Sequence, residues 1–342
     1  MLDAAIRAIY RRAIGRDANV SDVPLLLLRA LYGERVSVRT KSGFQIQVDT
    51  RDRYVAFKLW RTRAYEASET AFFVRFARPG LRVLDVGANI GYFSVLLGRA
   101  VGSTGKVLSL EPAPKTAAIC RKNLEINGLL STVQLLEVAA GPEPSTATLY
   151  VDRDHPSNNA LYDHRLGGST LREARQVDVV RLDDVAAEMG PIDLIKIDVE
   201  GAELSALKGA RETMRGSPTL VICCEVAPRW LRAAGHRPED LLDEITSHGF
   251  EAYEFTVDGV LAAIDPYERA ENLERADAGE NFCFIRQRAA ATFAGAGRVI
   301  VRPPTSQRLK VARSDASLRD RPTALPRAAA RCPAQPHPTS VE

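Results

Sequence analysis

The sequence predicts an α/β fold: a mostly parallel, seven-stranded sheet with helices on both faces, preceded by N-terminal helices and a hairpin. Three observations carry this reading. Short apolar runs recur through the middle of the chain and alternate with longer stretches of helical period, the pattern of repeated βα units. The first run, Val83-Leu84-Asp85-Val86, passes at once into a glycine-spaced turn, Gly87-Ala88-Asn89-Ile90-Gly91, and then into a helical stretch over 92–100. The last two runs, around Tyr253 and Phe284, follow each other closely enough to form a terminal pair.

Taken in order, Leu2, Ile6, Ile9 and Ala13 fall on one helical face with Arg7, Arg11 and Arg12 elsewhere. Such a helix packs on the main domain or self-associates, giving a homodimer; a basic amphipathic helix on a membrane surface is the alternative. Pro24 near the start of 25–31 marks a second short helix. Val36-x-Val38 and Phe44-x-Ile46-x-Val48 alternate around Ser42-Gly43, a hairpin signal. Core strands are expected at 82–86, 106–110, 133–138, 194–198, 219–224, 251–255 and 282–286, with helices in most of the gaps. An insertion of some fifty residues, 142–190, separates the third and fourth strands and is expected to cover the site. From Ala289 onward nine Lys/Arg face three Asp/Glu, a net +6 in a chain whose total is +3, and prolines recur with little apolar periodicity. That composition predicts a disordered tail. The domain expectation is therefore 1–35 helical, 36–288 catalytic and 289–342 tail.

Composition excludes several classes. A net charge of +3 with 26% charged residues makes no general case for a nucleic-acid binder. No continuous apolar segment is long enough to span a bilayer, and the arginines of the first segment are unlike a secretory signal. The five cysteines contain no C-x-x-C pair and read as reduced. A cytoplasmic protein is expected.

The turn after the first strand reads as a cofactor loop. Its glycines permit a sharp bend and close approach to a ligand, and the helix that follows aims free N–H groups the same way. About twenty residues on, Glu111 ends the next apolar run, where a parallel sheet places the carboxylate that accepts from ribose hydroxyls; an exposed strand-end acid or a helix cap before Pro112 is the plainer reading. A dinucleotide loop would read G-x-G-x-x-G, whereas this one opens on Asp85 and carries Asn89 in the middle. A carboxylate there repels a pyrophosphate and tolerates a cationic cofactor such as S-adenosyl-L-methionine, with its ammonium and sulfonium groups. An NAD-dependent oxidoreductase is disfavoured on the same ground.

A second block, Ile192-Asp193-Leu194-Ile195-Lys196-Ile197-Asp198-Val199-Glu200-Gly201-Ala202-Glu203, is a buried-type strand running into a glycine turn and a helix. Together with Arg63-Ala64-Tyr65-Glu66, the Asp85 loop, Glu111-Pro112 and Leu182-Asp183-Asp184, it resembles the FkbM family of S-adenosylmethionine-dependent methyltransferases over residues 36–286. The two main blocks are specific in combination and only suggestive singly. The resemblance implies a Rossmann-like class I methyltransferase fold with its last strand inserted antiparallel, and commonly O-methylation of a hydroxyl on a small molecule or glycan. It also implies that the turn at Ala139 lies beside adenine, although a plain turn explains its small residues nearly as well.

Strand ends converge at the ligand edge of such a sheet. Asp85, Gly87, Asn89 and Gly91 are expected around the methionine and ribose parts of the cofactor, Glu111 at the ribose and Ala139 at the adenine. Asp198 and Glu200 are the candidates for orienting or deprotonating an acceptor hydroxyl; capping the next helix is their structural alternative. His155, or His164, in the insertion is a further candidate base, and Ser157, Asn158 and Asn159 offer hydrogen bonds to a polyhydroxylated acceptor. Asp198, Glu225 and a loop histidine lack a compact ligand spacing, so no metal is expected. The leading function is an O-methyltransferase acting on a sugar, glycan or secondary metabolite. N-methylation and a non-catalytic adenosylmethionine-binding module are the alternatives.

Overall fold

The computed structural model describes residues 29–30, 32–152, 159–163, 172–295 and 301–302. The helix expected around Ile6, most of the one expected at 25–31, and the tail beyond Arg302 lie outside the described residues. So do His155, Ser157, Asn158 and His164.

The expected hairpin forms from β1 (Arg35–Arg39) and β2 (Gln45–Asp49), antiparallel and apart from the main sheet. Period-2 alternation turns Val36, Val38, Ile46 and Val48 into the core. Next come α1 (Arg53–Thr62), capped by the Asp52 carboxylate on Val55 N, and α2 (Ala67–Phe76), which buries Phe72, Phe73 and Phe76. Alternating units follow: β3 (Arg82–Val86), α3 (Tyr92–Val101), β4 (Lys106–Leu110), α4 (Pro114–Ile126) and β5 (Val133–Leu136). β6 (Ala139–Gly141), just before the insertion, joins β7 (Ser145–Asp152) and β8 (Arg172–Arg181) within it in a separate three-stranded sheet of order β6-β8-β7.

The main chain then resumes with α5 (Leu182–Ala186), β9 (Leu194–Ile197), α6 (Glu203–Lys208), α7 (Arg211–Gly216) and β10 (Val221–Val226). Asp183 accepts from Glu212 N, Thr213 N and Thr213 Oγ1, so the Leu182-Asp183-Asp184 motif holds the first turn of α7. The last elements are α8 (Pro228–Ala233), α9 (Pro238–Thr246), β11 (Glu251–Phe255), β12 (Leu261–Ala263), α10 (Pro266–Ala276), β13 (Glu280–Ile285), α11 (Gln287–Gly295) and β14 (Val301–Arg302).

The main sheet runs β14-β12-β11-β13-β10-β9-β3-β4-β5. From β5 to β10 the pairing is parallel, and β13 inserts antiparallel between β10 and β11. All seven expected strands are present in it. Both faces are covered: Val83 packs into one cluster with Leu97 and Phe72, while Leu84 and Val86 pack into the other with Leu204 and Leu207. Burial on two sides is why these strands read as continuous apolar runs.

The sheet extends beyond the seven expected strands, and the boundary expected at Ala289 moves. The sheet carries two further short strands at one edge, β12 and β14. The tail does not begin at Ala289, because α11 buries Ala289, Ala290 and Phe293, the last edge-on to Phe76 at 5.3 Å, and β14 pairs with β12. Phe293 supplied the apolar anchor that the composition of the segment concealed. Among the described residues no helix is long and apolar enough to cross a membrane.

Candidate active site

The loop after β3 is shaped by its neighbours. Gly87 N and Ala88 N both donate to Leu110 O at 2.9 Å, folding the loop over the end of β4. Gly87 has φ +82°, and a Cβ there would lie 1.9 Å from the Asp198 carbonyl oxygen. The residue must be glycine because two strand ends touch. Gly91, at φ +83°, opens α3, and its missing Cβ leaves room for Cys120 Sγ on α4. Asn89 adopts φ +51°, a region asparagine tolerates, with its Oδ1 accepting from Ile90 N at 2.7 Å.

Glu111 ties this loop to the next one. Its Oε2 accepts from Asn89 N and its Oε1 from Ala113 N, both at 2.9 Å. Burial raises its pKa to about 7 despite those two donors. Each oxygen keeps a lone pair for a ligand hydroxyl.

The turn after β9 repeats the device. Glu203 Oε1 accepts from Val199 N at 3.1 Å and Gly201 N at 3.0 Å, and burial raises its pKa to about 7. Glu203 thus holds the backbone that presents Asp198 and Glu200. Glu200 sits at φ +53° with its carbonyl accepting from Tyr162 Oη, and a Cβ on Gly201 would strike Tyr162 Oη and Trp230 O.

Beneath the site lies Lys196, its side chain 5% exposed, with Nζ 3.0 Å from Asp198 Oδ2. Burial opposes its charge, but the fields of Asp198, Asp85 and Glu66 outweigh that and hold it above the ordinary lysine range. Asp85 is fully buried. Its Oδ2 accepts from Ser94 Oγ at 2.6 Å, and burial pushes its carboxyl up against the opposing pull of Lys196 and Ser94.

A cavity of about 510 Å³ opens at the carboxyl ends of the parallel strands. Gly87, Asn89, Glu111, Ala139, Asp198 and Glu200 all line it, as does Asn159. Asp85 and Gly91 do not. Asp85 lies one layer down, joining the end of β3 to the first turn of α3 through Ser94, and Gly91 serves the packing of α3 on α4. The expected turn at Ala139 is the short strand β6, paired parallel to β8. His155 lies outside the described residues.

The wall also carries residues to which sequence reasoning gave no site role: Tyr65, Glu66 and Glu69 at the start of α2, Trp230 on α8, Glu254 and Phe255 on β11, Arg269 on α10, and Glu280 and Asn281 on β13. Glu225 ends β10 on the same wall. Glu66 belonged to a quoted motif, but its left-handed φ of +38°, which turns it inward at the start of α2, has no sequence signature. Burial, then Asp198, raises its pKa to about 8. Glu225 is pushed well above the carboxylate range by burial, then by Asp198 and Glu200. Among the described residues, Glu66 Oε2 and Glu225 Oε2 are buried without a hydrogen-bond partner.

Eight carboxyl side chains therefore line the cavity against one cation, Arg269, among the described residues. Arg269 is itself bound to Glu280 at 2.7 Å and lies 3.7 Å from Glu254. A wall of this kind fits a cofactor that brings positive charge and ribose hydroxyls, and it disfavours a pyrophosphate. Among the described residues no group of three or more His, Cys, Asp or Glu could hold a metal ion.

Residues 85–252 match the methyltransferase FkbM domain. Methyltransferase sdnD of Sordaria araneosa is 34% identical over 160 residues, covering 38% of this chain and 60% of that protein. The 31-O-demethyl-FK506 methyltransferase FkbM of Streptomyces tacrolimicus is 33% identical over 160 residues, 40% of this chain and 61% of that one. The 2-O-methyltransferase NoeI of Sinorhizobium fredii is 31% identical over 160 residues, 40% and 60% respectively. The chain thus spans about three-fifths of the length of these relatives. The matched segment runs from Asp85 at the end of β3, through the Asp198 turn, into β11, and over it the chain carries a methyltransferase FkbM domain.

Proposed function

We propose that this protein transfers a methyl group from S-adenosylmethionine to a hydroxyl oxygen of a sugar, glycan or secondary metabolite. The observation that carries the reading is the carboxylate-walled cavity, with Glu111 at one end, the Gly87 loop beside it and Asp198 with Glu200 in the middle. Two of the similar proteins carry transfer to oxygen in their names.

The bound cofactor supplies an electrophilic methyl on a sulfonium. Every other requirement falls to the chain. Glu111, held by Asn89 N and Ala113 N, accepts from the ribose hydroxyls; Gly87 and Asn89 shape the floor beside the methionine part; and Ala139 leaves room for the flat adenine. Asp85 supports this floor from below through Ser94.

At the acceptor, in-line displacement depends mostly on alignment, and the hydroxyl proton must leave. Asp198 orients the hydroxyl, its own carboxylate held by Lys196 Nζ. Glu200 takes the proton: it lines the cavity beside Asp198, and a carboxyl raised above its ordinary range, by burial and then by Asp198, is the stronger base once ionised. His155 of the insertion is the other candidate for that step.

The test offers methyl-labelled adenosylmethionine with a panel of polyhydroxylated acceptors to the intact chain and to Glu200→Gln and His155→Ala variants. Label on oxygen, lost in Glu200→Gln and kept in His155→Ala, is expected. Label on nitrogen, or full activity in Glu200→Gln, would overturn the assignment.

A further inference from the structure

The sheet order divides the cavity. Glu111 and Ala139 lie toward β4 and β5, whereas Glu225, Glu254 and Glu280 lie on β10, β11 and β13, on the far side of the Asp198 turn. At about 4.8 Å per strand, β10 is roughly 14 Å from β4. Once Glu111 takes the ribose and the Gly87 loop the methionine part, the β10–β13–β11 wall faces the acceptor.

That wall is unbalanced. Glu254 and Glu280 share Arg269. Glu225 has no such partner among the described residues: its Oε2 is buried and without a hydrogen bond, and it lines the cavity. The residue is half-buried, and a buried carboxyl oxygen left in that state is destabilising unless a ligand or a proton completes it. Gly279 lets the chain pass close by, since a Cβ there would lie 3.3 Å from Glu225 Oε1. Trp230 and Phe255 stand on the same wall, and aromatic groups beside carboxylates suit an organic cation better than a neutral polyol.

We propose that the acceptor carries an ammonium group, as an amino sugar or amino alcohol does, and that Glu225 anchors it while the target hydroxyl reaches Asp198 and Glu200. The inference rests on the methyltransferase reading for its division of the cavity. Burial and the neighbouring acids, Asp198 first, disfavour the charge on Glu225, whereas an arriving ammonium favours it, so binding shifts Glu225 toward ionisation with release of a proton.

The experiment uses the full chain saturated with adenosylhomocysteine, whose own binding is measured first. The probes are the polyamino sugar neamine and its fully N-acetylated form, titrated by calorimetry in two buffers of different ionisation enthalpy. Neamine is expected to bind at least tenfold more tightly than the acetylated form and to release a proton, and Glu225→Gln is expected to abolish both preference and release while remaining folded in thermal unfolding. Equal binding of the two probes, no binding of neamine, a preference that survives in Glu225→Gln, or a site that Mg²⁺ alone occupies in competition with neamine would overturn the proposal. A failure of adenosylhomocysteine to bind would instead strike the methyltransferase reading, with the amine preference still measurable on the chain alone.

Discussion

Replacing Glu111 by Gln isolates the carboxylate that links the cofactor loop to β4. In the native chain its two oxygens accept from Asn89 N and Ala113 N at 2.9 Å. Gln keeps one acceptor and turns its NH₂ toward the other amide, leaving one buried donor unpaired at a cost of about 1–3 kcal/mol. The ribose hydroxyls then lose a charged acceptor. Charge-assisted hydrogen bonds contribute about 1.5–3 kcal/mol against 0.5–1.5 for neutral ones, so two such bonds predict a loss of about 2–3 kcal/mol, or about 30- to 150-fold in affinity. The effect has a pH signature. The free carboxyl sits at about 7, and hydroxyl donors favour its ionised form, so its pKa falls on binding. Affinity therefore weakens as pH drops through 7 and levels off above it. Calorimetric titration of adenosylhomocysteine at about pH 6, 7 and 8 should show that slope in the native chain and lose it in Glu111→Gln. An affinity within threefold of native, with the slope intact, would refute the ribose assignment.

Other perturbations follow from the same geometry. Gly87→Ala places a methyl 1.9 Å from the Asp198 carbonyl at φ +82°, so chemical denaturation should register a loss of about 2–4 kcal/mol; an unchanged midpoint would contradict the contact. Lys196→Met strips the buried cation from Asp198, Asp85 and Glu66 and should cost about 3–5 kcal/mol, with Lys196→Arg recovering part of it. Folded-state carboxyls raised to about 8 at Glu66 and about 7 at Glu111 and Glu203 bind protons that the unfolded chain, at the ordinary 4.5, has lost. Their contribution is fully present below about pH 4.5 and disappears as pH rises through 7 to 8, a loss of about 5 kcal/mol between about pH 6 and pH 8.5, so the ligand-free melting temperature should fall by about 10 °C over that interval. Adenosylmethionine should narrow that fall, and a melting temperature that rises over the interval would show the acids to be ionised already.

The seven core strands were legible because a sheet covered on both faces leaves unbroken apolar runs such as 82–86 and 106–110. The edge strands β12 and β14, three and two residues long, fall below any periodicity that could announce them. The antiparallel insertion of β13 was implied by resemblance and has no signature of its own, since period 2 is the same in both directions. At the site, the glycine spacing announced a sharp turn, which the positive φ of Gly87 and Gly91 makes, but could not say what fills the space of each absent Cβ. At Gly87 it is the Asp198 backbone, and at Gly91 it is Cys120, from a helix that begins more than twenty residues later. An acid at a strand end can face the ligand or the layer beneath; Asp85 faces Ser94 and the core, whereas Glu111 reaches the cavity. Glu66 escaped as a site residue, and Glu225 was weighed only as a metal ligand, because their unpartnered oxygens are set by enclosure, which only the tertiary packing supplies.

Methyl transfer to a hydroxyl oxygen is measured by single-turnover reaction of methyl-labelled adenosylmethionine with a purified hydroxylated acceptor, with mass spectrometry and NMR locating the label. One methyl ether per turnover is expected, with a rate that climbs with pH as Glu200 ionises and loss of the signal in Glu200→Gln with cofactor affinity kept. Tight adenosylmethionine binding with no transfer to any acceptor, or a methyl found on nitrogen alone, would contradict transfer to oxygen.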